Sequence, residues 1–421
     1  MKPKLYLVTK EFPFGEGEKS FIKPEYPYLC EKFDVNTIVA ELPEEIRDQK
    51  KENLGADNTF VVSCKRNIWG KIGSYLRFLG EKACYKEILY IIKERRSVLK
   101  RIFRALMFGA AAETFYYRTK KITAIERQTR AVFYFYWYDY KCFGLTMHKD
   151  KYPNIQIVSR THGYDLYDER ELYGRQFFKE QMDKRIERLI FAAEYAKSYY
   201  LGRYRKQDSG KYPLHRLGVD DKNITVETRK REFKKTFLLL SCSHAISIKR
   251  VDLIIEGLSC IDRDIRWIHI GEGDQLEALK DKAEELLGAK NNIQYEFTGF
   301  LPNEKVIEFY RENYIGCFIT TTSTEGGAPV SVQEALSFGI PVIAAAIGDL
   351  PQMIEENGVL LTENPTPDEI GHAIEDMVRI YGTEEYFLMC EKSLEIYQSK
   401  FNASDNFALL AEELEKLWEN G

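Results

Sequence analysis

Thr320-Thr-Thr-Ser-Thr-Glu-Gly-Gly-Ala-Pro-Val-Ser-Val-Gln-Glu-Ala-Leu-Ser-Phe-Gly-Ile-Pro-Val-Ile-Ala344 places two carboxylates, a glycine pair and a proline-started helix within one β/α unit. Cys317-Phe-Ile-Thr320 reads as the end of a buried strand and Glu325-Gly326-Gly327 as a flexible loop. Pro329 reads as a first-turn helix residue, where its missing N–H costs nothing. The helix then runs from Val330 to Phe338, stops at Gly339, and gives way to a strand at Val342-Ile-Ala. Its open start, Ala328 to Val330, offers free backbone N–H groups and a partial positive charge, which suit a diphosphate. Glu334 lies about one turn into the helix, where an ionised carboxylate can accept both hydroxyls of a ribose. Glu325, on the loop, can accept sugar hydroxyls. Any single glutamate beside a β/α turn is most often merely solvated, but the whole constellation reads as a nucleotide-sugar site.

Outward from this segment, strand-like runs alternate with helical periods, the pattern of a parallel α/β sheet. In the first half Lys4–Thr9, Val35–Val39, Phe60–Ser63, Val132–Trp137 and Ile155–Ser159 read as strands. Phe21–Glu31 reads as a helix, and two helices are expected across Gly70–Ala112. A second unit has strands at Phe237–Cys242, Arg266–Ile270 and Ile293–Phe297, with helices at Val251–Leu258, Leu276–Leu287 and Glu304–Asn313. The expected organisation is a first domain over residues 1–218, a linker over 219–235 and a second domain over 236–399. A C-terminal helix over about 400–421 completes the first domain. Each half is a doubly wound unit, and two such units facing each other would bring the switch points of both sheets to one crevice.

A chain of 421 residues exceeds the usual single core, and 44% hydrophobic content excludes a wholly disordered chain. The eight cysteines are scattered without a Cys-x-x-Cys pair, which argues against zinc, iron–sulfur or a disulfide framework and fits a reducing cytoplasm. No apolar run suggests a signal peptide or spanning helix. A net charge of −4 gives no nucleic-acid bias. Charge is uneven, however: Lys65 to Lys121 holds fifteen Lys/Arg against four Glu, with aromatic and aliphatic residues interleaved. That composition fits basic amphipathic helices on an anionic membrane surface, and equally a pair of packed helices with solvated basic faces.

Three further segments follow strands. Phe12-Pro-Phe-Gly-Glu-Gly-Glu-Lys-Ser-Phe21 opens a helix, so Gly15 and Gly17 can bring backbone close to a phosphate or an acceptor. Ser159-Arg-Thr-His-Gly-Tyr-Asp165 puts His162 and Asp165 at a strand's carboxyl end, with Arg160 able to pair with phosphate or carboxylate. A lone histidine there is more often a core or surface residue. Ser241-Cys-Ser-His-Ala-Ile-Ser-Ile-Lys-Arg-Val-Asp252 opens the second domain in the same manner.

Together these segments resemble the retaining, GT-B-fold glycosyltransferases of family 4, the glycosyl transferases group 1. The resemblance is dense over the second domain and touches the first at two motifs. The family separates its two glutamates by seven residues; here Gly326 to Gln333 makes eight, the added residue falling in the Gly326-Gly327-Ala328-Pro329 loop. The resemblance implies that Gly15 and Gly17 belong to a loop over the donor phosphates, and that His162 points at the transferred sugar. Asp165 would orient that histidine or contact the acceptor. Lys249 aligns with the lysine that neutralises the diphosphate, while Ser243 and His244 stand where many members place an arginine. Arg250, where glycine is common, would supply the missing charge. Gly271 and Gly273, in Ile270-Gly-Glu-Gly-Asp274, would lie near the nucleobase.

The expected activity is therefore transfer of a sugar from a nucleotide-diphosphate-sugar donor to a hydroxyl acceptor, with retention. The expected acceptor is a saccharide or lipid-linked saccharide in polysaccharide or cell-envelope glycan synthesis. No cofactor or metal is expected, because Lys249, Arg250 and the helix start can neutralise the leaving diphosphate. The cytoplasm, with peripheral contact at the inner membrane face, is the expected location. A nucleotide-sugar epimerase of the same architecture and a non-catalytic nucleotide-sugar-binding subunit remain alternatives.

Overall fold

The computed structural model describes residues 2–15, 17–40, 42, 58–62, 67–123 and 130–420. The chain divides into two units, Met1–His215 with Phe407–Gly421, and Arg216–Asn406.

The first unit holds a six-stranded sheet of β1 (Lys4–Thr9), β2 (Asp34–Val39), β3 (Thr59–Val61), β4 (Ala131–Phe135), β5 (Ile155–Thr161) and β6 (Arg188–Phe191). Their order is β3-β2-β1-β4-β5-β6, and every described pairing is parallel. Central strands of such a sheet are covered on both faces and read as unbroken apolar runs. Ala131-Val-Phe-Tyr-Phe135 is buried at all five positions. Its residues alternate, Phe133 and Phe135 joining Tyr6 and Val8 in one core layer, Val132 and Tyr134 joining Leu5 and Leu7 in the other. The second layer is closed by Leu410, Ala411, Leu414 and Leu417 of the C-terminal helix Ala403–Asn420.

The second unit repeats the plan with β7 (Leu238–Cys242), β8 (Ile265–Ile270), β9 (Ile293–Gly299), β10 (Cys317–Thr320), β11 (Val342–Ala345) and β12 (Gly358–Leu361). The order is β12-β11-β10-β7-β8-β9, again parallel in every described pairing. In both sheets the strand order reverses beside the first strand, between β1 and β4 and between β7 and β10. Loops at the carboxyl ends of such neighbours diverge and leave room for a ligand.

Several element ends lie one or two residues from the sequence reading, among them Lys19–Lys32 and Ala131–Phe135, and three regions stand out. Gly70–Ala112 holds three helices rather than two: Ile68–Leu79, Lys82–Glu94 and Val98–Thr123. The second break falls at Arg95 and Ser97, both in the left-handed region at φ 53° and 48°, with no glycine to announce it. Residues 219–235 contain the helix Val226–Arg231, capped by Thr225, whose side chain accepts from the Thr228 N–H. From it the buried Arg229 donates to Ile315 O at 2.7 Å and Tyr386 Oη at 2.9 Å, tying the segment to the second unit. The strand read as Phe60–Ser63 spans Thr59–Val61, and Ser63, like Lys65, lies outside the described residues.

Candidate functional site

The loops that follow β7 and β10 meet at the switch point of the second sheet. Ser323 N donates to Ile248 O at 2.8 Å, Thr322 Oγ1 to the same oxygen at 3.1 Å, and Thr321 Oγ1 to Arg250 O at 2.7 Å. This stitching aligns two stretches about seventy-five positions apart, so that Lys249 Nζ donates to Glu325 Oε1. Both side chains are largely covered, at 21% and 14% exposure. Arg250 sits at φ 51° directly before the helix Val251–Ser259, a backbone conformation that accounts for glycine being common there in the family resembled. Its guanidinium is 3.6 Å from Asp252 and reaches neither Lys249 nor Glu325 among the described contacts.

The helix after β10 spans Val330–Ser337, with Pro329 preceding it as the cap residue rather than standing inside the first turn. The difference is one of ψ: Pro329 keeps its fixed φ of −61° but is extended at ψ 131°. No side-chain cap hydrogen bond is made at this helix start among the described residues, so its field is available to an anion. Ala328 is held by Gln333, whose Nε2 reaches back to Ala328 O at 3.0 Å. Gly326 and Gly327 are half-buried beside Glu325. Gly348, at φ 59°, lies so close to Glu325 that a Cβ there would be 3.1 Å from the glutamate's own.

Glu334 faces inward at 5% exposure and accepts from Asn303 Nδ2 at 2.7 Å. Burial raises its carboxyl above the usual range, opposed by the Asn303 hydrogen bond and the Lys222 charge. A buried carboxylate with one partner retains acceptor capacity for two vicinal hydroxyls.

Gly271 and Gly273 serve close approach between the loops after β7 and β8. A Cβ on Gly271, at φ 151°, would lie 1.9 Å from Ser243 O, and one on Gly273 2.4 Å from Ala245 O. Ser243 N donates to Ile270 O at 3.0 Å and Ala245 N to Glu272 O at 2.9 Å across this seam.

In the first unit, Gly15 and Gly17 pack on Glu11, which accepts the Gly17 N–H at 2.6 Å. Sequence reasoning missed Glu18. Its buried carboxylate accepts the backbone N–H groups of Lys10, Glu11 and Phe12 at 2.7–3.0 Å, and the Trp137 indole N–H. Lys10 lies over the rings of Tyr164 and Trp137 at 3.7 and 4.6 Å. The only hint in the sequence was an acidic residue just after the glycine turn.

His162 packs against Tyr136 and Trp137, ring centroids 5.0 and 4.5 Å away, with Nε2 buried and unbonded among the described residues. Burial and the neighbouring Arg160 charge push it down to about 3, so the imidazole is neutral near pH 7. Asp165 fixes backbone rather than the ring: its two oxygens accept His162 N and Tyr138 N, each at 2.7 Å. Burial raises Asp165 to about 6 against those bonds and Lys179. Arg160 is fully buried and bonds Glu25, equally buried, at 2.5 Å, so its charge is committed inside the unit.

One trio among the described residues could hold a cation, Glu81, Glu113 and His148, and it lies in the first unit. There Glu113 already contacts His148 Nε2 at 3.0 Å. Asp262-Arg263-Asp264 has the Asp-x-Asp spacing of metal-dependent glycosyltransferases, but these exposed residues precede β8, at the end of the strand opposite the loops above.

Residues 224–387 match the family model of the glycosyl transferases group 1. That stretch lies within the second unit and contains Lys249, Glu325 and Glu334. An uncharacterized glycosyltransferase of Haemophilus influenzae is 29% identical over 42% of this chain and 49% of its own length. The amylovoran biosynthesis glycosyltransferase AmsK of Erwinia amylovora is 23% identical over 35% of this chain and 37% of its own length. The chain thus spans about half the length of the first relative and about a third of the second. Among solved structures, HepE of Anabaena in complex with UDP and glucose superposes with a TM-score of 0.64 at 14% identity, covering 98% of this chain and 100% of that one. At that identity the likeness speaks for the fold, which is that of the GT-B glycosyltransferases. The matches together support a glycosyltransferase.

Proposed function

We propose that the protein is a retaining glycosyltransferase that moves a sugar from a nucleotide-diphosphate-sugar donor to a hydroxyl acceptor, a lipid-linked saccharide in polysaccharide or cell-envelope glycan synthesis. The observation that carries this reading is the pairing of Lys249 with Glu325 at the β7/β10 switch point, with Glu334 buried on the helix that follows. The lysine and glutamate satisfy each other. An entering diphosphate would draw the ammonium away and free Glu325 for sugar hydroxyls, while Glu334 takes the ribose.

Bond breaking develops negative charge on the leaving diphosphate, and groups already aimed at that charge stabilise the transition state more than the ground state. The uncapped helix start at Val330, and Lys249 once the diphosphate has drawn it from Glu325, would supply this field without a metal ion, with Arg250 adding positive charge nearby. Retention follows if the acceptor attacks from the face the diphosphate leaves, a phosphate oxygen taking the acceptor's proton. Resemblance to retaining enzymes supports that step. The UDP and glucose bound by HepE make uridine donors the first to try, and the amylovoran relative supports a glycan acceptor.

A thermal-shift screen of nucleotide sugars tests the donor, since a ligand at a hundredfold excess over Kd adds about 2.7 kcal/mol to native-state stability. Acceptor-dependent release of the nucleoside diphosphate then tests transfer. A folded Lys249→Ala/Glu334→Ala protein that binds the donor as tightly as wild type would sink the proposal. Conversion of donor alone into its epimer would point to the epimerase instead.

A further inference from the structure

We infer that the helical layer of residues 68–107 in the first unit is a docking surface for an anionic lipid bilayer. The helix Ile68–Leu79 is inverted relative to an ordinary surface helix. Its buried side chains are Ser74 and Phe78, while Ile68, Trp69, Ile72, Leu76 and Leu79 are exposed, Trp69 at 76%. Spaced at one, four, eight and eleven residues from the first, these five fall on one side of a 3.6-residue period. Lys82–Glu94 repeats the arrangement with Tyr85, Leu89 and Ile92 exposed, and Val98–Thr123 opens with Leu99, at 83%, Phe103 and Met107. Eleven of the twenty-one large exposed apolar side chains among the described residues therefore fall within forty consecutive positions. Both shorter helices pack on the longest, so the stripes belong to one layer.

The charges decide the occupant. Residues 68–107 expose eight Lys/Arg, among them Lys82, Lys86, Lys93 and Lys100, and not one carboxylate. Of the three acids present, Glu81 is half-buried, Glu87 is buried and bonds Arg175 at 2.7 Å, and the partly covered Glu94 bonds Arg101 at 2.6 Å. Protein-binding faces are depleted in lysine, whereas apolar stripes fringed by lysine match acyl chains beneath anionic headgroups. No helix among the described residues is long and apolar enough to cross a membrane, so the layer would lie on the bilayer. This inference does not depend on the transferase reading, because no nucleotide or acceptor enters it.

The test is co-sedimentation of the full chain, without nucleotide, with phosphatidylcholine vesicles lacking or containing phosphatidylglycerol. Binding is expected only when phosphatidylglycerol is present, weakening as salt rises. Trp69→Gln/Leu99→Gln/Phe103→Gln should lower partitioning by about tenfold or more. Lys82→Gln/Lys86→Gln should lower it by about fivefold per lysine. Circular dichroism of both variants should match wild type, since every altered side chain is exposed. Failure to bind phosphatidylglycerol vesicles at low salt overturns the inference. So does binding that the apolar variant leaves intact, or self-association in solution that this variant abolishes, which would assign the face to a second copy of the chain.

Discussion

Replacing Glu334 by Gln separates the demands of folding from those of donor binding, because it should move the two in opposite directions. Glutamine keeps the shape and an oxygen for Asn303, whose Nδ2 lies 2.7 Å from the carboxylate. Burial raises the carboxyl's pKa, so folding penalises its ionised form relative to the unfolded chain. A raised acid contributes stability below its unfolded pKa and loses it as pH rises through the folded value, so at pH 7 the neutral glutamine should leave the fold as stable as wild type or more so. Binding should suffer: hydrogen bonds to a charged acceptor are worth roughly 1.5–3 kcal/mol, so weakening the ribose contacts should raise the donor Kd by about tenfold to a hundredfold. Urea midpoints at pH 7 and calorimetric titration with the donor identified by screening measure both. An unchanged Kd would refute the ribose role. A large fall in stability would mean that Glu334 is a structural anchor instead.

Two more outcomes follow from close packing and from buried histidines. Gly271→Ala forces a Cβ to within 1.9 Å of Ser243 O at a φ that L residues rarely adopt. Strain and broken seam hydrogen bonds should together cost about 3 kcal/mol, lowering the melting temperature by roughly 6–12 °C, and an unshifted melt would refute it. His269, fully buried with Nδ1 2.9 Å from Ser241 Oγ, is pushed down to about 4 by desolvation. Its folded pKa is depressed, so its stabilising contribution is complete above the unfolded value near 6.5 and fades as pH falls toward 4, about 2 kcal/mol being lost by pH 5. His162 acts in the same sense in the first unit, where Asp165, raised to about 6, gains stability over the same interval and offsets part of it. His269→Gln should therefore flatten the acid dependence of urea unfolding between pH 7 and 5, and equal slopes in variant and wild type would contradict the account.

Most strands were legible because they are continuous apolar runs, and the helices between them because they keep a 3.6-residue period, but the four-residue edge strands β6 and β12 went unread. Leu276–Leu287 matches the sequence reading residue for residue. Boundaries failed where chemistry gives no warning, as at Arg95 and Ser97, which turn the chain without glycine. At the candidate site, local spacing singled out Glu325, Glu334 and the helix start as candidates, but period and spacing say nothing about contacts between distant positions. The Lys249–Glu325 bond joins loops brought together by strand order. Arg160 looks in sequence like a residue that reaches for a ligand. Its burial depends on Glu25, 135 positions away, inside a helix that also holds two prolines.

Glu18 gives the repeated strand plan an asymmetry. The amide cradle after β1 already contains an anion, the chain's own carboxylate, while the helix start after β10 has no side-chain cap among the described residues. Two sheets of one topology thus differ at their switch points, one sealing its amide cradle with a built-in surrogate and the other leaving its helix start to an anion from outside the chain. The expected stoichiometry is a single nucleotide for each polypeptide, despite the doubled architecture.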